Sequence, residues 1–417
     1  MVRFAAYQGK FASLPLVFAR LLLSTAMAVP AALALASSSS IPPQSTPAEL
    51  RKPDPEALLI EIYKDLGSNR LQEAQSKADA LVAAYPNFRL GQLVRGDLLL
   101  MHARPVTSFG QINDAPAAKL KDLRAEAMVR LHSLQERPNP DLIPQPVLQV
   151  SEDQKNVLVV DTTRARMYVY ENQGGQLKLM TDYYISHGRF GVNKSREGDQ
   201  RTPIGVYYVN ARIPGPKLPD FYGTGALPLN YPNEWDKRNG RSGSGIWLHG
   251  TPSDNFSRPP LSSDGCVVLA NPDLQTLYST AEVGKTVVVI SENIKFIDKD
   301  QWSKERDAGN QLMQQWQQDM EAPDADKVLT NYSSNFRSAV GESLSTWFNR
   351  QQKGLNGARP SIKLRDLSLF RYPGAEDTIV STFVQETSIG KNKNVVRKRQ
   401  YWQREGAQWK IVYEGNA

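Results

Sequence analysis

The sequence predicts a multidomain α+β protein with a helical N-terminal domain, a mostly-β middle domain and a C-terminal α+β domain built on a curved sheet. Three observations carry this. Apolar residues recur at helical spacing between 56 and 137, short apolar runs separated by turn residues fill 147–295, and beyond 300 helices come first and strands after. At 417 residues the chain has room for two or three such units, and its 40% hydrophobic content is that of a globular protein.

At the N-terminus, Arg3, Lys10 and Arg20 precede an apolar stretch at 21–36 that ends in Ala34-Leu35-Ala36, the pattern of a secretory signal with cleavage expected after Ala36. The stretch is shorter than the ~20 apolar residues that span a bilayer, which disfavours an uncleaved anchor. The mature protein is therefore expected to be exported, to the periplasm. Residues 37–55, with Pro42, Pro43 and Pro47 among serines, are expected to form a disordered linker. Leu58, Leu59, Ile62, Tyr63 and Leu66, then Leu71, Ala74, Ala78, Leu81 and Val82, flank Gly67-Ser68-Asn69 as a helical hairpin. Helices at 90–101 and 115–134 follow. The pairing is similar to tetratricopeptide units, and this domain, 56–137, is expected to dock on the middle domain or to form a homodimer. His102 and His132 read as ordinary surface or core histidines.

Pro138-Asn139-Pro140 and Pro144-Gln145-Pro146 mark the next boundary. Within 147–295, strands are expected at 156–160 and 166–170, joined by a Thr162-Thr163 turn, and at 177–185 and 205–210, with a short helix at 272–281 and a closing strand at 286–290. Between 212 and 245 no period survives. Such a stretch inside a compact domain reads as the wall of a cleft, with Tyr222, Tyr231 and Trp235 covering a ligand and Lys237, Arg238 and Arg241 meeting a carboxylate. A basic loop packed by its own aromatics is the other reading.

The chemistry concentrates at 244–271. Cys266 is the only cysteine, and His249 lies within loop reach of it. A thiolate is the reactive form of cysteine and an imidazole can take its proton, so the pair is a candidate nucleophile and base. The alternative is a small buried hydrophobe that contains sulfur. Ile246-Trp247-Leu248 ends at His249 and Val267-Val268-Leu269 starts after Cys266, as two buried strands whose polar ends meet. Gly265 frees the backbone so that the N–H groups of Gly265 and Cys266 can form an oxyanion site, while Ser263 and Asp264 hold the turn and line the substrate position.

His249-Gly250 followed by Ser263-Asp264-Gly265-Cys266-Val267 resembles the signature of the YkuD-type L,D-transpeptidases. Ser186-His187-Gly188-Arg189 and Arg201-Thr202-Pro203-Ile204-Gly205-Val206-Tyr207-Tyr208 resemble the same family's upstream stretch, so the likeness covers about 150–295. It implies a sandwich-like mostly-β catalytic fold, peptidoglycan stem peptides as substrate, and acyl transfer through a thioester on Cys266. It also implies His249 as base, the Gly250 carbonyl as its orienting partner, and no metal or other cofactor. His187 matches a position that in relatives faces the cleft or orders its floor. Val268 stands where many members carry Arg, which leaves open how a substrate carboxylate or the loop is anchored. An amine acceptor would give 3-3 cross-links or lipoprotein attachment, and water would make the protein an L,D-carboxypeptidase. The three-part layout is similar to L,D-carboxypeptidases that set cell shape. A non-catalytic wall-binding scaffold is the reading from another class, against which intact His249, Gly265 and Cys266 argue.

In the last region, 300–417, helices are expected at 302–320, 327–336 and 344–352 and antiparallel strands at 362–370, 378–389, 395–405 and 408–414. With Trp316, Tyr332, Phe336, Trp347, Phe383, Tyr401, Trp402 and Trp409 along it, the region resembles the cone-shaped SnoaL-type fold related to nuclear transport factor two. Such a cone implies a pocket for a small ligand or wall fragment. The net charge of +7 and pI near 9.2 suit an anionic wall polymer. No helix-turn-helix, zinc-knuckle or RNA-recognition motif is present, so nucleic acid is not an expected partner.

Overall fold

The computed structural model describes residues 53–417 apart from 107–108, 111–116, 356–358 and 376. The expected signal at 1–36 and most of the expected linker lie outside the described residues. Among the described residues, no helix is long and apolar enough to cross a membrane.

Helix α1 (Pro55–Gly67) starts where the Asp54 carboxylate accepts the Glu56 and Ala57 N–H groups and Pro55 fixes the first turn. With α2 (Leu71–Ala84), α3 (Arg89–Met101) and α4 (Ala117–Gln135) it buries Leu59, Ile62, Ala74, Ala78, Leu81 and Val94. Phe256 and Ala270, from the middle of the chain, complete that core. The helical domain thus docks within its own chain. A buried charge cluster backs the contact: Arg130 pairs with Glu126 at 2.9 Å and with Glu56, Glu56 with Arg166 at 3.2 Å, and Arg166 with Asp182 at 2.8 Å. Removing one member would leave its partner charged and desolvated.

The middle region runs β1 (Ile143–Pro144), β2 (Val147–Gln149), β3 (Asn156–Asp161), β4 (Arg166–Gln173), β5 (Gln176–Gly188), β6 (Gly205–Tyr208), β7 (Ile213–Pro214), β8 (Gly225–Pro228), α5 (Glu234–Arg238), β9 (Trp247–His249), β10 (Leu261–Ser263), β11 (Val267–Leu269), α6 (Asn271–Thr280), β12 (Val287–Ser291) and β13 (Phe296–Ile297). The main sheet has the order β6-β12-β3-β4-β5-β11-β9-β8-β7, with β10 also beside β5. A Val209–Leu229 bridge brings the β6 and β8 ends together. Both faces are buried, as the near-continuous apolar runs require. Leu158, Val160, Ile185, Leu248 and Val288 face an inner core, while Val157, Val159, Tyr168, Tyr170 and Val287 face outward onto the C-terminal domain.

That domain comprises α7 (Lys299–Glu321), α8 (Ala325–Thr330), β14 (Tyr332–Ser338), α9 (Leu344–Leu355), β15 (Ser361–Arg371), β16 (Thr378–Ile389), β17 (Asn392–Glu405) and β18 (Gln408–Asn416), with sheet order β14-β18-β17-β16-β15-β2. The mixed α+β class expected from the sequence is the class observed. Three local expectations change. The helix expected at 327–336 stops at Thr330, because Tyr332 to Ser338 pair in parallel with β18 while Tyr332 and Phe336 pack on Trp347. Strand β2, at the start of the expected catalytic range, instead completes the C-terminal sheet beside β15, and β1 pairs with β13. The stretch at 212–245 is ordered, with β8 inside the main sheet and α5 opened by a reciprocal Asn233–Asp236 capping box.

Candidate active site

Strands β9 and β11 lie side by side and parallel, with His249 opposite Val268. In this register Cys266, just before β11, falls beside Trp247, two residues along β9 from His249. Gly265 takes φ +123°, and a Cβ there would stand 2.7 Å from the Arg201 carbonyl oxygen, so only glycine fits before the cysteine. The turn is tied on every side. Ser263 Oγ donates to the Cys266 carbonyl (2.6 Å) and accepts the Gly265 N–H (3.1 Å), and Thr202 Oγ1 donates to the Gly265 carbonyl (2.9 Å). Gln200 Nε2 holds Asp264 at 2.7 Å. Ser263 is therefore part of the turn's internal bonding. The Gly265 N–H is likewise taken, which removes it as an oxyanion donor. The Cys266 N–H has no protein acceptor among the described residues and remains for that role.

The thiol donates to the Gly245 carbonyl at 3.2 Å, and the Trp247 N–H points at the sulfur. Burial pushes the Cys266 thiol up to about 11, against the pull of the Trp247 N–H and the Arg258 and Lys194 charges. His249 is 1% exposed, and its Nδ1 bonds the Gly250 carbonyl at 2.7 Å. Since a carbonyl only accepts, Nδ1 carries the proton and Nε2 presents a lone pair. Burial holds the imidazole down to about 4. Both groups are thus neutral at rest. Gly250 is held in turn, with its N–H on the Tyr222 carbonyl (3.0 Å) and a space that a Cβ would contest with Asn271 Oδ1. Asn271 Nδ2 reaches the Thr251 carbonyl at 2.8 Å.

Of the expected binding residues, Tyr222 stands at the site, its ring 5.1 Å from His249 and 5.0 Å from Trp247. Three others do not. Tyr231 is a core residue, packed on Tyr207 with its hydroxyl on the Ser242 carbonyl; Trp235 stacks on Tyr401 of the C-terminal domain; Arg241 is paired with buried Asp236 at 3.1 Å. Arg238 donates to the Asn335 carbonyl across the same interface. His187 is buried on β5, its ring on the Thr162 backbone and its Nδ1 without a partner, and burial holds it down to about 4. Among the described residues, no hydrogen bond or ring contact joins it to Cys266 or His249. What the sequence did not single out is Arg258, whose guanidinium lies 4.4 Å over the Phe221 ring, and Phe221 in turn stands 5.9 Å from His249. No group of side chains among the described residues could hold a metal ion. In the C-terminal domain a cavity of about 790 Å³ opens between α9 and the sheet, lined by Met320, Trp347, Phe348, Gln385 and Lys393.

Residues 155–290 match the family model of the L,D-transpeptidase catalytic domain, YkuD, and residues 310–415 match the Cds6 C-terminal NTF2-like domain. The chain is similar to Bd1075 of Bdellovibrio bacteriovorus, 28% identical over 66% of this chain and 98% of that one, with a TM-score of 0.60. It shares its fold with the helical cell shape determining protein Pgp2 of Campylobacter jejuni, 22% identical over 65% of this chain and 95% of that one, with a TM-score of 0.55. No curated protein matches the chain.

Proposed function

From a chain that joins a YkuD-type L,D-transpeptidase catalytic domain to an NTF2-like domain, we propose an exported, cysteine-dependent L,D-transpeptidase that acts on peptidoglycan stem tetrapeptides. The observation that carries the reading is the thiol at a strand end. It has an unpaired N–H at its own backbone and lies one strand from an imidazole whose Nδ1 is locked on Gly250. In the first half-reaction His249 Nε2 takes the Cys266 proton as the sulfur attacks the carbonyl at the L-centre of the third residue. The Cys266 N–H receives the developing oxyanion, the imidazolium protonates the departing amine of D-alanine, and a thioester remains. An acceptor amine from a neighbouring stem then loses its proton to His249 and displaces the sulfur, giving a 3-3 cross-link. Because the resting pair is neutral, the charge separation arises only as the sulfur attacks.

The test is incubation of purified protein with disaccharide tetrapeptides, read by mass spectrometry. Cross-linked dimers are expected and a C266A variant should yield none. Tripeptide as the sole product would assign the acyl group to water and make the protein an L,D-carboxypeptidase. The C-terminal cavity is proposed to take a small ligand or wall fragment.

A further inference from the structure

Arg258 is placed with unusual firmness for a residue in a connecting loop. Its carbonyl accepts from both Tyr184 Oη and Ser186 Oγ at 2.8 Å, and Pro259 and Pro260 stiffen the chain after it. The loop before it is fastened to the helical domain. Phe256 inserts between Tyr85 and Phe88, with ring centroids 5.1 and 4.7 Å away, the Phe256 N–H bonds the Asn87 carbonyl, and Ser257 Oγ donates to Glu126 at 2.7 Å. Among the described residues one of its five donors is bonded, to the Phe221 carbonyl at 3.1 Å, and its other nitrogens keep contact with solvent. No carboxylate stands within ion-pair distance of it among the described residues, and the Asp264 charge acts on it from further off. A firmly held cation with donors to spare suits an anionic ligand.

The chemistry says which ligand. His249 must protonate the leaving amine, so the departing residue lies on the His249 side of the thiol. Phe221, on whose ring Arg258 rests, forms that side. One residue spans about 3.5 Å, which puts the departing residue's carboxylate just beyond the imidazole. We infer that Arg258 is the specificity-determining residue of the cleft, where its guanidinium receives the terminal carboxylate of the donor peptide. The inference rests on the acyl-transfer reading above. It makes the enzyme a reader of chain ends, since an amidated end, or one set one residue further out, would leave the guanidinium unpaired.

The experiment compares a tetrapeptide donor with the same peptide amidated at its C-terminus, in the full-length protein, by release of the terminal residue. Wild type should favour the acid by about 10- to 100-fold in kcat/KM, the range of a charge-assisted bond. R258Q should bring that ratio close to one, and R258K should retain most of it. A wild-type ratio near one, or a ratio unchanged in a folded R258Q, overturns the inference while leaving acyl transfer intact. Release of neither terminal residue by wild type overturns the acyl-transfer reading and this inference together. If R258Q does not fold, R258M, which keeps the apolar stem and removes the charge, carries the same test, and an unchanged ratio in it overturns the inference.

Discussion

Alkylation of Cys266 by iodoacetamide as a function of pH tests the neutral resting pair directly. Iodoacetamide is uncharged and reacts with thiolate alone, so the slope of its rate against pH reports the sulfur's protonation independently of access. Burial lifts the thiol from 9.0 to about 11, two units that correspond to about 3 kcal/mol and a 100-fold smaller thiolate fraction at any pH below 9. The rate should therefore climb about tenfold per pH unit from 6 to 10 without levelling. A preformed thiolate–imidazolium pair would behave in the opposite way, with a rate that is flat above the pH at which the pair forms. The assay is mass-spectrometric counting of the carbamidomethyl adduct, with C266A as the blank. A plateau between pH 6 and 9 would refute the argument that desolvation outweighs the Trp247 N–H and the neighbouring cations.

Gly250→Ala should lower kcat by about 100-fold with little change in KM, because its Cβ displaces Asn271 and with it the carbonyl that orients His249; steady-state kinetics decides. Phe256→Ala should cost about 3 kcal/mol in urea unfolding, since it empties a space in the helical core while removing the pin on the loop that leads to Cys266. Acidification should destabilise the fold through its two buried histidines. Both have folded values near 4, below the ordinary 6.5, so the unfolded chain binds protons first and stability present above pH 6.5 is lost as pH falls toward 4, by about 3 kcal/mol each. Urea titrations at pH 7 and 4 should show a loss smaller by about that amount in H187Q; an equal loss in the two proteins would count against a neutral His187.

The proposed pair, His249 and Cys266, is legible because its signal is local. A histidine and a lone cysteine, each next to glycine and each at the end of an apolar run, specify two strand ends and a turn without reference to the rest of the chain. The helical hairpin is legible for the same reason. Binding residues are harder to read, because a tyrosine, a tryptophan and an arginine in an aperiodic stretch look alike whether they line a cleft or fill a core. Tyr231, Trp235 and Arg241 turn inward because their partners, Tyr207, Tyr401 and Asp236, are distant in sequence or hidden in a capping turn. Tyr222 differs in that its neighbours, Trp247 and His249, are themselves the site. Arg258 leaves no local trace, since its meaning comes from Phe221 and from two hydroxyls on β5. The strand at 332–338 reads as helix in the sequence because its pairing partner, β18, lies near the far end of the chain, and a tertiary ladder outweighs local preference.

Strand β2 comes before the catalytic sheet in sequence yet is hydrogen-bonded into the C-terminal one, with the Val147 carbonyl accepting from Trp302 Nε1 at 2.7 Å and Leu148 sunk among Trp316 and Leu369. The polypeptide is sewn through its neighbour and back. Neither half can be excised with clean edges: a cut after 298 strands β2 beside nothing and bares Tyr168 and Tyr170, and a fragment from 299 lacks its sixth strand. Gene fusions or deletions that treat the tail as a detachable cassette should therefore give insoluble product, and a tail expressed by itself must bring residues 143–150 with it.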